Sequence, residues 1–207
     1  MKQVNNIWFP DKEVHLAEFS EVVQNGTYQY DRIRLSIDAC KQKRVAVDIG
    51  GHVGLWSMHL VKDFEEVIAF EPIPEHRECF RENVAGNYSL NDCALGNKTG
   101  EVMLKWEDDN TGHTHLDEKG NVKAEIKRLD DFNLENVDLI KIDVEGYELF
   151  VCEGAIETIK RCKPVICVEQ KDHGYFVDDR YAAIKFLNKL GYRQSASIHS
   201  DFIMVTT

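Results

Sequence analysis

Four carboxylates each close a short apolar run: Val45-Ala46-Val47-Asp48, Ile68-Ala69-Phe70-Glu71, Ile140-Lys141-Ile142-Asp143 and Ile166-Cys167-Val168-Glu169. Runs of this kind read as strands, and acids at the ends of parallel strands share the sheet edge where open α/β folds bind ligands. Carboxylates brought together repel unless something positive or rich in donors lies among them. Acids after strands also favour the N-termini of the helices that follow. That accounts for one or two of them; four make a ligand site the better reading.

A glycine-rich turn follows the first acid, Asp48-Ile49-Gly50-Gly51-His52-Val53-Gly54. A dinucleotide fingerprint counted from Gly50 would need glycine where His52 and Leu55 stand, and a P-loop would need a lysine directly after Gly54. Both diphosphate readings fail. Glu71 falls about 20 residues after Gly50, the interval at which an acid takes the ribose hydroxyls of a bound nucleoside. A positively charged nucleoside without a diphosphate, in an acidic cleft, describes S-adenosylmethionine.

The elements that must position these residues alternate. Strands are expected at Val45 to Ile49, Val67 to Phe70, Tyr88 to Ala94, Val137 to Asp143 and Val165 to Val168. Helices are expected over Val53 to Val61, Pro74 to Val84, Tyr147 to Lys160 with a break near Gly154, and Arg180 to Leu190. Tyr192 to Ile198 and Phe202 to Val205 are close enough to pair antiparallel. The pattern calls for an α/β fold with a Rossmann-like, mostly parallel sheet, an antiparallel last strand and helices on both faces. The chain reads as a single domain, 1–207. Residues 1–44 form a helical approach, and 45–207 a core with a hairpin and loop excursion at about 100–127. Within that excursion, Glu107 to Gly120 is polar and glycine-containing, which suggests a mobile, gating loop.

Composition bounds the partners. At 207 residues and 43% apolar content the chain can bury one sizeable core. A net charge of −11 argues against a large nucleic-acid surface. No segment approaches the roughly 20 apolar residues that cross a bilayer, and Met1 to Pro10 does not read as a signal peptide. Cys40, Cys79, Cys93, Cys152, Cys162 and Cys167 include no CxxC pair and read as reduced core thiols of a cytoplasmic protein. His113 and His115 alternate in the polar loop without an evident third ligand. Nothing in these residues sets the oligomeric state.

Asp48 to Gly54 resembles the first motif of class I methyltransferases. Lys141-Ile142-Asp143-Val144-Glu145-Gly146-Tyr147-Glu148, followed by Glu153-Gly154-Ala155, resembles the signature of the FkbM family of methyltransferases. Phe70-Glu71-Pro72, Ala94-Leu95-Gly96-Asn97 with Thr99-Gly100, Leu129-Asp130-Asp131 and Pro164 to Glu169 are similar to that family's other blocks, in the family's order. The family commonly has alanine and asparagine where Gly51 and His52 stand, so the resemblance says nothing of His52, which is expected to pack over the loop.

The resemblance implies a seven-stranded sheet and S-adenosylmethionine as cofactor. It assigns Asp48 to orienting the glycine loop and meeting the cofactor's cationic amino end, and Gly50, Gly51 and Gly54 to close backbone approach. Glu71, with Pro72, takes the ribose; Asp92, Cys93 and Ala94 flank the adenine; Asp143 lies nearest the methyl group; Tyr28 and Gln29 close over the cofactor. A hydroxyl acceptor, a sugar or glycoconjugate, would use a base, with Asp143, Glu145, Glu169 and His173 as candidates. Related sugar methyltransferases hold magnesium with acids after the same strands as Asp143 and Glu169. Gln170 stands where a further carboxylate is expected, so magnesium is allowed but not predicted. The alternatives are a nucleic-acid methyltransferase and a cofactor-binding partner subunit without catalysis.

Overall fold

The computed structural model describes residues 1–19, 28–107, 109–171 and 176–207. A hairpin opens the chain, β1 (Lys2–Val4) pairing antiparallel with β2 (Ile7–Phe9), followed by the short helix α1 (His15–Phe19) and α2 (Tyr30–Asp38). Alternation then sets in: β3 (Val45–Ile49), α3 (Ser57–Asp63), β4 (Glu66–Phe70), α4 (Pro74–Asn83), β5 (Tyr88–Asn91) and β6 (Cys93–Leu95). The excursion contributes β7 (Gly100–Lys105), β8 (His115–Leu116) and β9 (Val122–Lys127). The core resumes with β10 (Val137–Ile142), α5 (Glu148–Gly154), α6 (Ile156–Cys162), β11 (Val165–Glu169), α7 (Ala182–Lys189), β12 (Tyr192–Ile198) and β13 (Asp201–Thr206).

The main sheet has seven strands in the order β12-β13-β11-β10-β3-β4-β5. Contacts from β11 through β5 are parallel, and β13 runs antiparallel to both of its neighbours. The period of two puts successive strand residues in different cores. Ala46, Val67, Leu139, Cys167 and Ile203 pack with Ile33, Ile37 and Leu60 of α2 and α3. Val47, Ile68, Ile140, Val168 and Met204 pack with Val151, Ile159 and Leu187 of α5 to α7. Both faces are covered, so the parallel strands are continuous apolar runs. The carboxylates at their ends are then forced to the rim.

Three expectations need correction. The N-terminus is not wholly helical, because Asn5 and Asn6 both take positive φ (50° and 66°), the geometry of a tight two-residue hairpin turn. The single strand expected over Tyr88 to Ala94 divides at Asp92. Tyr88–Asn91 joins the main sheet, while Cys93–Leu95 crosses to a second, four-stranded sheet ordered β6-β9-β7-β8. The polar loop after β7 is not a free excursion: it holds a 3-10 turn at Thr111–His113, pairs β8 back onto β7, and buries Thr111. Among the described residues, no helix is long and apolar enough to cross a membrane.

Candidate functional site

A cavity of about 220 Å³ opens at the carboxyl ends of β3, β4, β10 and β11. Its floor is the glycine turn, and its cover is the 110–116 segment with His15 and Leu16 of α1. Of the residues expected to bind a cofactor, Tyr28, Gly50, Gly51, Glu71, Pro72, Cys93, Ala94 and Asp143 line it, as does Gln29. So do Glu145 and Glu169. His173 lies outside the described residues.

The turn is shaped by close approach. Gly50 has φ +76°, and a Cβ there would fall 2.0 Å from the Asp143 carbonyl oxygen, so only glycine lets the ends of β3 and β10 meet. Gly50 N and Gly51 N both donate to the Phe70 carbonyl. Beneath the turn, the buried Lys141 ammonium donates to Gly50 O at 2.6 Å and Ile49 O at 3.3 Å. It also pairs with Asp48 Oδ1 at 3.2 Å, while Ser57 Oγ donates to Asp48 Oδ2 at 2.7 Å. Burial alone would lower the Lys141 pKa, but Asp48 and Asp143 outweigh it and hold the group cationic.

Three assignments change as a result. Asp48 is fully buried and is not among the cavity-lining residues. Its charge is met by Lys141 beneath the turn, which fits the loop-orienting part of its expected role. Gly54, at φ +90°, makes room for α4: a Cβ there would sit 2.6 Å from Val84 Cγ2. Asp92 stands at the crossover between β5 and β6, outside the lining, and leaves that position to Cys93, Ala94 and Leu95.

One half of the cavity is a chain of polar groups joined by hydrogen bonds, in which His76 Nε2 is buried without a partner. Glu71 accepts from His52 N and Ile73 N, each at 2.8 Å, and its Oε1 lies 3.1 Å from His76 Nδ1. Burial would raise the Glu71 pKa; the adjoining imidazole and the two backbone donors hold it below the usual carboxylate range. A carboxylate has about four acceptor sites; three are taken, so one remains for a hydroxyl. His52 stacks edgewise on His76, with centroids 4.4 Å apart, and its Nε2 lies 2.7 Å from Thr111 Oγ1. Burial drives the His52 pKa far down, so the ring is neutral. Thr111 gives its N–H and its only hydroxyl proton to the buried Glu13 carboxylate at 2.7 and 2.6 Å. His52 must therefore donate to Thr111 through Nε2–H. The cover is thus tied to both the glycine turn and the N-terminal segment.

The other half crowds like charges. Ligand-capable oxygens of Asp143, Glu145 and Glu169 all lie within 4.8 Å of one another. Glu145 is held at φ +50°, in a turn fixed by the Glu148 carboxylate, which accepts from Gly146 N at 2.9 Å and Val144 N at 3.4 Å. Lys171 Nζ reaches Glu169 Oε1 at 2.8 Å and Glu145 Oε1 at 3.6 Å. Glu169 Oε2 is buried without a hydrogen-bond partner. Burial, with Asp143 nearby, pushes Glu145 up to about 7 and Glu169 up to about 8. Burial and then Asp143 push the Tyr28 phenol up to about 12, so it stays neutral. Gln170 turns away: its side chain donates to Glu169 O and accepts from Ala183 N at the start of α7.

Sequence reasoning passed over Lys141, Lys171, His76, Thr111 and Glu13. Lys141 had a visible signal, since a lysine inside an apolar strand covered on both faces needs a buried partner. His76, in the first turn of α4, lies five residues after Glu71. Glu13 and Thr111 meet only through tertiary folding.

The family model described as the methyltransferase FkbM domain matches residues 48–194. Over 141 residues the chain is 27% identical to Methyltransferase 1 of Beauveria bassiana, covering 52% of this chain and 57% of that protein. Over 155 residues it is 29% identical to Methyltransferase sdnD of Sordaria araneosa, covering 54% and 60%. The chain therefore spans little more than half the length of these relatives. Among solved structures it resembles a methyltransferase FkbM from Methylobacillus flagellatus, with TM-score 0.52 and 18% identity over 78% of this chain and 43% of that one. It also resembles a precorrin 8w decarboxylase from Methanobacterium thermoautotrophicum, with TM-score 0.56 and 14% identity over 100% of both. At these identities the likenesses establish the shared Rossmann-like fold.

Proposed function

The chain belongs to the methyltransferase FkbM domain family, and on that premise we propose that it is an S-adenosylmethionine-dependent methyltransferase acting on a hydroxyl of a small acceptor, such as a sugar or glycoconjugate. The observation that carries this reading is the pairing, in one cavity, of a nucleoside-shaped half with an acid-rich half. The glycine turn and Glu71 adjoin the first; Asp143, Glu145 and Glu169 line the second. The residues fit the cofactor: Gly50 leaves no side chain in its path, Glu71 keeps one acceptor site for a ribose hydroxyl, and Cys93 to Leu95 offer an apolar wall.

Bound there, S-adenosylmethionine supplies a methyl group that the acceptor oxygen takes as the carbon–sulfur electron pair returns to sulfur. The protein's part is placement and proton removal. Holding the acceptor oxygen in line supplies much of the acceleration, and a carboxylate taking the hydroxyl proton is typically worth about 10²–10⁴-fold. Among the described residues no side-chain hydrogen bond or ion pair engages the Asp143 carboxylate, which leaves it available to the ligand. Glu145, pushed up to about 7, can take up a proton near neutral pH, and Glu169, pushed up to about 8, does so at slightly alkaline pH. The net charge of −11 favours a small acceptor over nucleic acid. Calorimetry with S-adenosylhomocysteine tests the cofactor reading. Binding that Glu71→Ala abolishes supports it, and no binding by the unaltered chain refutes it.

A further inference from the structure

We propose that Lys171 is the resident cation of the acceptor end, filling among Asp143, Glu145 and Glu169 the position a divalent metal would take. The oxygens of the three acids converge within 4.8 Å, a spacing suited to ligating one ion. What sits against them is an ammonium, 2.8 Å from Glu169 Oε1 and 3.6 Å from Glu145 Oε1. Glu169 is 2% exposed and has one buried oxygen with no hydrogen-bond partner, so its charge leans on Lys171. The placement is built into the fold. Gln170 N donates to Ser200 O, and the Gln170 side chain is fastened to Glu169 O and to Ala183 N of α7. Lys171 therefore leaves the sheet edge at a fixed point, with a flexible stem that brings its charge back over the acids.

A dication entering this group meets an ammonium of its own sign and loses Glu169 Oε1 as a ligand. The same ammonium offers three donors, so it can hold two carboxylates and still face an acceptor oxygen as negative charge develops. Lys171 is thus a positioning residue. It acts through Glu169 and Glu145, and sets the metal requirement of the site as well as its proton affinity.

The inference rests on the methyltransferase reading, but its test does not. Manganese titrations followed by electron paramagnetic resonance would compare the unaltered chain with Lys171→Ala, Lys171→Gln and Lys171→Arg. The expected result is no saturable binding by the unaltered chain or Lys171→Arg up to millimolar manganese. Lys171→Ala or Lys171→Gln should bind one ion at least ten-fold more tightly, with the gain cancelled by adding Glu169→Gln. Two neutral variants guard against one that fails to fold, and unfolding scans identify such a failure. Equal manganese affinity in the unaltered chain and the neutral variants overturns the proposal. S-adenosylhomocysteine binding, measured in parallel, reports on the cofactor reading by itself. Once an acceptor is in hand, Lys171→Arg should retain the pH–rate profile that Lys171→Gln shifts, a result a merely structural lysine would not give.

Discussion

The two halves of the cavity treat their carboxylates in opposite ways. On the nucleoside side, Glu71 has two backbone donors and an imidazole, Asp48 has Lys141 and Ser57, and Glu13 has Thr111 and Leu16 N. On the acceptor side, Asp143, Glu145 and Glu169 crowd together, and one half-exposed lysine reaches the last two. A satisfied network fixes geometry and stabilises the fold; a crowded one stores proton affinity at the expense of stability. The difference separates residues that build the site from residues poised to react in it.

The largest effect should come from breaking the satisfied side at its floor. Lys141→Met leaves Asp48 buried and without its cation, a defect that typically costs about 3–5 kcal/mol. Urea unfolding should show a loss of that size, and Lys141→Arg should recover little, because the carbonyls of Ile49 and Gly50 are spaced for an ammonium. Glu71→Ala comes next. It strands the N–H groups of His52 and Ile73, a cost of about 1–3 kcal/mol, together with loss of S-adenosylhomocysteine binding by calorimetry. If Glu71→Ala bound the ligand normally, the nucleoside side would be scaffold alone.

The acceptor side should respond with the opposite sign. Glu145 and Glu169 titrate near 7 and 8 in the folded chain, against an ordinary carboxyl value of 4.5. The folded state therefore holds more protons than the unfolded state between those limits. Their contribution to stability is present below the unfolded value and is lost as pH rises through the folded values. Stability should accordingly fall from about pH 5 to about pH 8. Glu71, with its lowered pKa, contributes stability that is lost only as pH falls below the carboxylate range. Glu169→Gln should raise stability at pH 8 by about 1–2 kcal/mol, after allowing for the lost Lys171 contact. It should also flatten the decline and impair methyl transfer. Thermal scans at pH 5, 7 and 8.5 measure all three points. A Glu169→Gln chain less stable than its parent at pH 8.5 would erase the contrast between the halves.

The same contrast marks what could be read in the sequence. Acids closing apolar runs identified the sheet edge, since a strand packed on both faces leaves polar residues at its ends unless, like Lys141 and Asp48, they bury as a pair. Asp143, Glu145, Glu169 and Glu71 were therefore legible from local pattern. Their partners were less so. The resemblance gave Asp48 to orienting the glycine loop and to the cofactor's amino end, but sequence could not show Lys141 reaching beneath the turn from a strand about 90 residues away. Gly54 read as part of a ligand loop, yet its contact is with Val84 just past the end of α4. The 107–120 segment looked like a loose excursion because its polar residues have no local partners; Thr111 finds Glu13 across 98 residues. Local pattern thus located the charges, and tertiary contact decided which were already answered.

The smallest effect, and the sharpest test of how the cover joins the satisfied half, is Thr111→Val. The substitution nearly preserves shape and removes one hydroxyl. His52 Nε2–H then loses its acceptor, while Glu13 retains the Thr111 N–H and Leu16 N. One partly buried donor left unsatisfied costs about 1 kcal/mol, or a fall in Tm of about 2–4 °C for a chain of this size. If the hydroxyl does no more than pack, the change stops there. If it couples the cover to the glycine turn, amide exchange should quicken at 110–116 and at His52 together, and S-adenosylhomocysteine should dissociate several-fold faster. His52 links the two segments, so faster exchange in the cover alone would place the coupling elsewhere. Joint acceleration would establish Glu13, Thr111, His52 and Glu71 as one mechanical unit holding the nucleoside side closed while the acceptor side stays free to exchange protons.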